Sequence, residues 1–175
     1  MKLTVTKKQN NSDMCIVCGV KSDASLKAGF YELENGYMAS IVTPKDQHQS
    51  YPNRMHGGMI SALLDEVLGR AIQIGNPDAW AVTGELTVKF RKPTPLNKPL
   101  IAVAKITRDT PRFYIAEGFI ECDGVLLAEA KGTYFKAGID AICDGFLDGD
   151  SWFFVPDETP VTQIEVANMK FFENK

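Results

Sequence analysis

One long stretch of the chain carries a helical pattern of apolar residues. Between Gly57 and about Ile74, apolar side chains recur at steps of three and four, which places them on one face of an α-helix. These residues are Met59, Ile60, Leu63, Leu64, Val67, Leu68, Ala71 and Ile72. Gly75, Asn76 and Pro77 follow, and they predict the end of the helix because Gly suits a left-handed cap and Pro cannot continue a helix. Since the apolar stripe is wide, we expect other elements to cover this helix.

The segments on both sides of the helix are typical of β-strands. Two β-rich runs surround Asn35-Gly36, a dipeptide that suits the positive φ angles of a tight hairpin turn. The polar segment 45–55 shows no helical period and predicts an irregular loop. Four further β-rich runs follow the helix, namely VTGELTVKF, LIAVAKITR, RFYIAEGFIEC and VLLAEAKGTYFK. The order of elements predicts an α+β fold with one long helix against an antiparallel sheet.

Length and composition limit the number of domains and the classes of partner. A chain of 175 residues with 45% hydrophobic content can close one large core. We expect one domain over residues 1–137 and a C-terminal extension, residues 138–175, packed on it. The net charge of −3, from 19 basic and 22 acidic residues, gives no basic field for binding nucleic acid.

The hydrophobic residues are also too dispersed for a membrane protein. No run approaches the roughly 20 apolar residues that span a bilayer, and the polar start lacks the apolar core of a secretory signal. We therefore expect a cytoplasmic protein with no membrane partner. The four cysteines are too sparse for a disulfide scaffold, so reduced thiols are expected.

Cys15 and Cys18 have the spacing of a metal-binding or redox motif. The chain has no second CxxC and no suitable Cys/His pair to complete four zinc ligands. We therefore expect no metal site, and we favour a structural turn over a zinc or redox role for this pair.

The residues that suggest chemistry lie on the predicted helix. Asp65 sits within the apolar run, where a charged carboxylate costs several kcal/mol unless another group pairs with it or uses it. A surface position or a structural ion pair would be an alternative explanation. Gly57 and Gly58 open the helix, where free backbone N–H groups can stabilise charge that develops on a carbonyl oxygen, by about 3 kcal/mol per donor. Close packing or capping is the alternative role of these glycines.

The distance between these groups indicates a second subunit. Gly57 and Asp65 are eight residues apart, or roughly 12 Å along one helix, whereas a reacting carbonyl must lie about 3 Å from both groups. Two helices packed antiparallel about a two-fold axis can bring the Gly57 amide of one chain opposite the Asp65 carboxylate of the other. The spacing therefore predicts a homodimer with two shared sites.

These strings resemble the hot-dog-fold acyl-CoA thioesterases related to the phenylacetate-pathway and 4-hydroxybenzoyl-CoA enzymes. The resemblance covers about residues 15–137 and depends on HGG with Asp65 nine residues after His56, on LLDEVLG, and on TGELTVKFRKPTPL. It implies a long central helix wrapped by a curved antiparallel sheet, and dimers that often pair into tetramers. It also implies thioester hydrolysis without a metal or a cofactor, with coenzyme A as part of the substrate.

The resemblance also assigns roles to individual residues. Asp65 matches the nucleophile or general base, and Gly57 matches the amide that polarises the thioester carbonyl, with Gly58 beside it. His56 matches the motif histidine, which shapes the loop or contacts the thioester. Thr83 falls where relatives place a hydroxyl near the carboxylate, although an ordinary strand residue is the alternative.

The chain departs from the family pattern in the loop before the helix. Many relatives carry Asn six residues before the motif histidine, where this chain has Ser50, preceded by Gln49. Gln49, Ser50 or Asn53 are candidates to position water or substrate, with loop formation as the favoured role. Arg91 and Lys92 are candidates to bind coenzyme A phosphates, with solvated strand-end charges as the alternative.

Hydrolysis of an acyl-CoA is the function that these residues favour. A non-catalytic acyl-CoA sensor would keep the cleft without needing an ionised carboxylate, and it is the alternative. Hydratase or dehydratase chemistry on the same fold uses histidine motifs that the loop HQSYPNRMHGG does not reproduce. The sequence does not specify the acyl group, the choice between nucleophile and general base, or the choice between dimer and tetramer.

Overall fold

A computed structural model describes residues 1–145 and 149–173, which form two helices and ten strands. The helices are α1 (Gly57–Arg70) and α2 (Ile139–Ile142). The strands are β1 (Lys2–Lys8), β2 (Asn11–Ser12), β3 (Gly29–Leu33), β4 (Tyr37–Val42), β5 (Ala81–Phe90), β6 (Leu100–Asp109), β7 (Phe113–Cys122), β8 (Val125–Lys136), β9 (Trp152–Phe153) and β10 (Gln163–Glu165).

The long helix α1 packs on a large antiparallel sheet. Eight strands follow the order β10-β1-β3-β4-β6-β7-β8-β5, and neighbouring strands are antiparallel throughout. Leu63, Leu64, Val67 and Leu68 of α1 are fully buried in the core, where each such side chain contributes about 1.5–3 kcal/mol. The prediction of an α+β fold with a long helix on an antiparallel sheet is confirmed. No helix in the described part of the chain has the length and apolar character needed to cross a membrane.

The turns agree closely with the sequence pattern. Asn35 and Gly36 have φ angles of 64° and 73° and join β3 to β4 as predicted. The α-helix ends at Arg70, slightly before the predicted end, and the chain continues through a short 3-10 turn. Gly75 then takes a φ of 72°, as expected for a left-handed position after a helix.

The order of the segments along the chain does not predict which strand pairs with β5. It follows α1 in sequence but pairs with β8, not with its sequence neighbour β6. As a result β5 forms one edge of the sheet and runs beside the helix. Leu86 and Val88 of β5 pack against the core, whereas Val82 and Phe90 are 42% and 55% exposed.

Both ends of the described chain add to the sheet. Strand β1, which is not among the elements that the sequence pattern predicts, pairs with β3 and with β10. Leu3 and Ile164 face each other across β1 and β10 in a second, smaller apolar cluster. In addition, β9 pairs with β2, so the segment after residue 137 contributes two strands. The domain boundary at residue 137 stays a prediction, and residues 146–148 and 174–175 lie outside the described residues.

Close packing of α1 on the sheet depends on Gly118 in β7. A Cβ atom at this position would lie 2.5 Å from the backbone oxygen of Val103 and 2.8 Å from a methyl carbon of Leu68. Such distances are far below van der Waals contact, so only glycine fits between the helix and the neighbouring strand.

Candidate active site

The Asp65 carboxylate is held by hydroxyl groups from two neighbouring strands. The Thr83 hydroxyl donates to Asp65 Oδ1 at 2.9 Å, and the Tyr134 hydroxyl donates to the same oxygen at 3.0 Å. Thr83 and Tyr134 are register partners across β5 and β8. Side chains of directly opposed residues point to the same face of a sheet, which explains why both donors meet one oxygen. Asp65 Oδ2 has no hydrogen-bond partner among the residues that the structure describes.

Tyr134 is a part of this arrangement that sequence reasoning missed. Its side chain is 1% exposed and stacks on Tyr114 with ring centroids 5.0 Å apart. Burial, reinforced by the nearby Asp65 charge and its hydrogen bond, raises the pKa of the Tyr134 hydroxyl well above its usual range. The group therefore stays protonated at neutral pH and donates to the carboxylate. Only knowledge of the β5–β8 register could have identified it, since Tyr134 resembles any buried strand residue in sequence.

A small cavity opens beside Asp65. Its volume is about 190 Å³, and polar and aromatic side chains line it. They include Asp65, Glu66, Arg70, Trp80, Thr83 and Trp152. The rings of Trp80 and Trp152 meet edge to face at 5.4 Å. Trp152 comes from the C-terminal segment, residues 138–175, which the sequence analysis expects to pack on the domain.

The beginning of α1 faces a different cleft. His56 caps the helix, because its Nδ1 accepts a hydrogen bond from the Gly58 amide at 2.9 Å. The Gly57 amide has no hydrogen-bond acceptor within the described ranges. Gly57 lines an open cleft of about 560 Å³ with Ser50, Arg54, Phe90, Arg91 and Lys92. Of the two glycine amides, only that of Gly57 is therefore free to bind a substrate oxygen.

The three loop candidates mainly stabilise their own loop. The Asn53 amide donates to the side-chain oxygen of Gln49 at 3.0 Å, and Asn53 has a positive φ of 61°. The Ser50 hydroxyl accepts a hydrogen bond from the Tyr51 amide at 2.6 Å. Ser50 alone among the three also lines the cleft at Gly57.

The two basic candidates lie at the same cleft. Arg91 is half exposed and binds the Glu129 carboxylate at 2.7 Å, and the hydrogen bond and charge of Glu129 raise the pKa of Arg91. Lys92 is exposed. Both side chains border the open cleft together with Arg54, so three cationic groups line the same cleft as the free amide of Gly57.

The structure thus separates the predicted site residues into two groups within one chain. Asp65 and Thr83 line the small cavity, whereas Gly57, Ser50, Arg91 and Lys92 line the open cleft. Strand β5 connects the two. Thr83 near its beginning binds Asp65, and Phe90 at its end lines the cleft beside Gly57, where a Cβ added to Gly57 would lie 3.6 Å from the Phe90 ring.

Glu66 lines the same cavity as Asp65, but its partners are Arg70 and the N-terminal segment. Its carboxylate accepts a hydrogen bond from Arg70 at 2.8 Å and lies near the thiols of Cys15 and Cys18. The ligand atoms of Cys15, Cys18 and Glu66 lie within 4.8 Å of one another. Arg70, whose guanidinium lies against this group, is another residue that sequence reasoning did not single out.

Comparison with known proteins identifies related sequences and structures. The sequence model of the thioesterase superfamily matches residues 53–112, which include α1 and β5. A mitochondrial protein of Candida albicans, described as uncharacterized, is 28% identical over 109 residues, 58% of this chain. The chain spans 49% of the length of that relative.

Solved structures resemble the fold over about two thirds of the chain. A crystal structure of a thioesterase superfamily protein is 28% identical with a TM-score of 0.64, and covers 69% of this chain and 62% of its own. A Streptococcus mutans protein bound to acetyl CoA is 21% identical with a TM-score of 0.57, and covers 63% of this chain and 89% of its own. The second likeness concerns the fold alone.

Proposed function

We propose that this chain, which belongs to the thioesterase superfamily and has the hot-dog fold, hydrolyses the thioester bond of an acyl-coenzyme A. The observation that carries the proposal is the Asp65 carboxylate, which two hydroxyl donors orient through one oxygen at the edge of a cavity. No ion pair with Asp65 occurs in the described part of the chain, so a structural salt bridge does not explain this carboxylate.

A second copy of the chain would complete the site. Strand β5 has one free edge, and antiparallel pairing of this edge with its own copy about a two-fold axis reverses the strand direction. The Thr83 end of one β5 would then lie beside the Phe90 end of the other. Because Asp65 binds Thr83 and Gly57 lies beside Phe90, this pairing would bring Asp65 of one protomer near Gly57 of its partner.

The open cleft suits the coenzyme A part of the substrate. Arg54, Arg91 and Lys92 border it, and phosphate oxygens form strong charge-assisted hydrogen bonds with such groups. The free amide of Gly57 lies in the same cleft. We place the phosphates on these basic residues and the thioester carbonyl on the Gly57 N–H, at the other end of the extended arm that joins the two parts of an acyl-coenzyme A.

Two chemical routes from this arrangement lead to the same products. In the first, Asp65 takes a proton from water, and the resulting hydroxide attacks the carbonyl carbon and expels coenzyme A thiolate. In the second, Asp65 attacks the carbonyl itself, and water then hydrolyses the acyl anhydride. In both routes the Gly57 amide stabilises negative charge on the carbonyl oxygen, and the products are a carboxylic acid and free coenzyme A.

The test is a panel of acyl-CoA substrates assayed for free coenzyme A, with the parent protein beside Asp65→Asn. We expect a loss of at least about a hundredfold in kcat for the variant, because the amide keeps the shape of the side chain but cannot act as a base or nucleophile. Asp78→Asn makes the same chemical change at an exposed position outside the Asp65 cavity and should retain the parent activity.

The outcomes separate the possible functions. Equal hydrolysis by the parent and by Asp65→Asn would remove Asp65 from the mechanism. Binding of acyl-CoA without hydrolysis of any member of the panel would favour the non-catalytic sensor.

A further inference from the structure

Two cysteine thiols lie on the buried side of α1, against residues that line the Asp65 cavity. Cys15 and Cys18 occupy one tight turn, which closes through a hydrogen bond from the Gly19 amide to the Cys15 carbonyl at 2.8 Å. Their sulfur atoms lie within 4.8 Å of each other. Two cysteines three positions apart in a single turn have Cα atoms close enough for a disulfide bond.

The two thiols differ in the way that thiol–disulfide exchange requires. Cys15 is partly exposed, whereas Cys18 is 0% exposed. The Val17 amide donates to Cys15 Sγ at 3.3 Å. A hydrogen bond from the Cys18 thiol, aided by backbone amides, lowers the pKa of Cys15 to about 6 against the opposing effects of burial and Glu66. The outer sulfur is therefore the nucleophile, and the inner sulfur remains protonated until it is needed.

The guanidinium group of Arg70 lies beside these sulfurs, where a metal cation would otherwise bind. Arg70 is 4% exposed, and it donates to Cys18 Sγ at 3.0 Å and to Glu66 Oε1 at 2.8 Å. The guanidinium carbon also lies 4.1 Å from the ring centre of Phe30 and 4.5 Å from that of Trp152. A fixed positive charge in this place opposes a second cation, and it favours loss of the proton from Cys18, the sulfur that it contacts, in the second exchange step.

We propose that Cys15 and Cys18 form a redox-active dithiol that small-molecule disulfides such as oxidised glutathione convert to an intrachain disulfide, with an effect on the Asp65 cavity through Arg70. The argument for this dithiol does not depend on the proposed hydrolysis of a thioester.

The reaction proceeds by two thiol–disulfide exchanges. The Cys15 thiolate attacks one sulfur of the small disulfide, a mixed disulfide forms on Cys15, and one thiolate leaves. Cys18 then loses its proton to solvent and attacks Cys15 Sγ, which breaks the mixed bond and releases the second thiolate. The dithiol is oxidised by two electrons, and one small disulfide is reduced to two thiols.

Oxidation changes the partners of the charged pair that lines the cavity. A disulfide has no S–H group, so Glu66 loses its thiol donors, and Arg70 loses the interaction with a thiol or thiolate at Cys18. Arg70 also stacks on Trp152, a wall of the Asp65 cavity. The indole of Trp152 therefore reports the redox state of the dithiol.

The test uses the full chain in a Cys143→Ser background, because Cys143 is exposed and would itself react with glutathione. The protein is equilibrated in mixtures of reduced and oxidised glutathione, alkylated and analysed by mass spectrometry. We expect two thiols to disappear together, those of Cys15 and Cys18. Burial raises the pKa of the Cys122 thiol, so this thiol should not react with glutathione in the folded protein. Alkylation after unfolding should therefore still find it reduced.

A Cys18→Ala variant should trap one glutathione on Cys15, and its rate should rise at a higher pH than the first exchange of the parent, because the variant lacks the Cys18 thiol whose hydrogen bond lowers the pKa of Cys15. Since Cys18 belongs to the core, thermal denaturation of the variant is measured alongside, and the parent titration gives the answer even if the variant unfolds. A persistent glutathione adduct on Cys15 in the parent, or no change at either cysteine, would overturn the proposal. Stoichiometric zinc that Cys15→Ser loses would also overturn it, in favour of a metal site.

The effect on the cavity is measured by fluorescence. In a Trp80→Phe variant, Trp152 is the remaining tryptophan, and its emission should shift when the dithiol is oxidised. The same variant carrying Cys15→Ser should show no shift in the same buffers. Identical emission of the oxidised and reduced dithiol would contradict the connection through Arg70.

Discussion

Replacement of Gly57 by proline removes a single backbone N–H and tests the oxyanion site directly. Gly57 is the first residue of α1, where the fixed φ of proline fits a helix. The preceding residue, His56, has a φ of −64° and a ψ of 136°, which is the conformation that a residue before proline prefers. The Gly57 amide has no acceptor among the described residues, so the substitution removes no hydrogen bond of the fold there.

The magnitude follows from the role of the amide. An added Cβ at Gly57 would meet only the ring of Phe90, at an ordinary distance of 3.6 Å, so we expect little change in the free energy of unfolding. The loss of one donor to a developing oxyanion costs about 2.7–4 kcal/mol, which corresponds to a fall of about 10²–10³ in kcat. Gly57→Ala adds the Cβ but keeps the N–H, and it should retain at least about a tenth of the parent kcat.

A mixture of two inactive variants tests whether the site is shared. Chains with Gly57→Pro are refolded together with chains that carry Asp65→Asn. Random pairing makes half of the dimers mixed, and each mixed dimer has one site with both native groups, so about a quarter of the parent activity should return. Mixed dimers without activity would refute the shared site, and a Gly57→Pro protein with parental kcat would refute the role of the amide.

Two further substitutions test the carboxylate environment and the packing of α1. Tyr134→Phe keeps the stacked ring but removes one hydrogen-bond donor to the Asp65 carboxylate, a bond worth about 1.5–3 kcal/mol. Steady-state kinetics should therefore show a kcat about tenfold to a hundredfold lower, with little change in KM. Tyr114→Phe, whose hydroxyl binds a backbone oxygen instead, should keep the parent kcat, and equal kcat in all three proteins would contradict this role. Gly118→Ala should destabilise the chain by about 2 kcal/mol in urea denaturation because its Cβ has no space, whereas Gly138→Ala meets no atom within 4 Å and should not.

The elements that local periodicity specifies could be predicted from the sequence. The helix repeat between Gly57 and Arg70 and the Asn35-Gly36 turn are local patterns, and both are found in the structure. The place of β5 beside β8 could not be predicted, because several β-rich segments are equally suitable neighbours and only closure of the sheet around α1 selects one. Strand β1 was missed because its apolar residues are few and its partners, β3 and β10, are distant in sequence.

Some residues of the candidate site could likewise be predicted from local sequence, and others could not. Asp65 and Gly57 stand out because each violates a local expectation, one as a charge in an apolar stripe and the other as part of a glycine pair at a helix start. Tyr134 and Trp152 reach the Asp65 cavity from remote segments, and neither has a local pattern that distinguishes it from an ordinary core aromatic residue. Their contribution depends on tertiary contacts alone.

The position of Trp152 has a consequence for how such a pocket can diversify. Its indole reaches the cavity from β9, which pairs with the short strand β2 and not with the strands that cover α1. Substitutions in this segment can therefore reshape the pocket while the helix and its catalytic candidates keep their packing. A different aromatic or aliphatic residue at position 152 would change one wall of the cavity and leave the strands that cover α1 as they are.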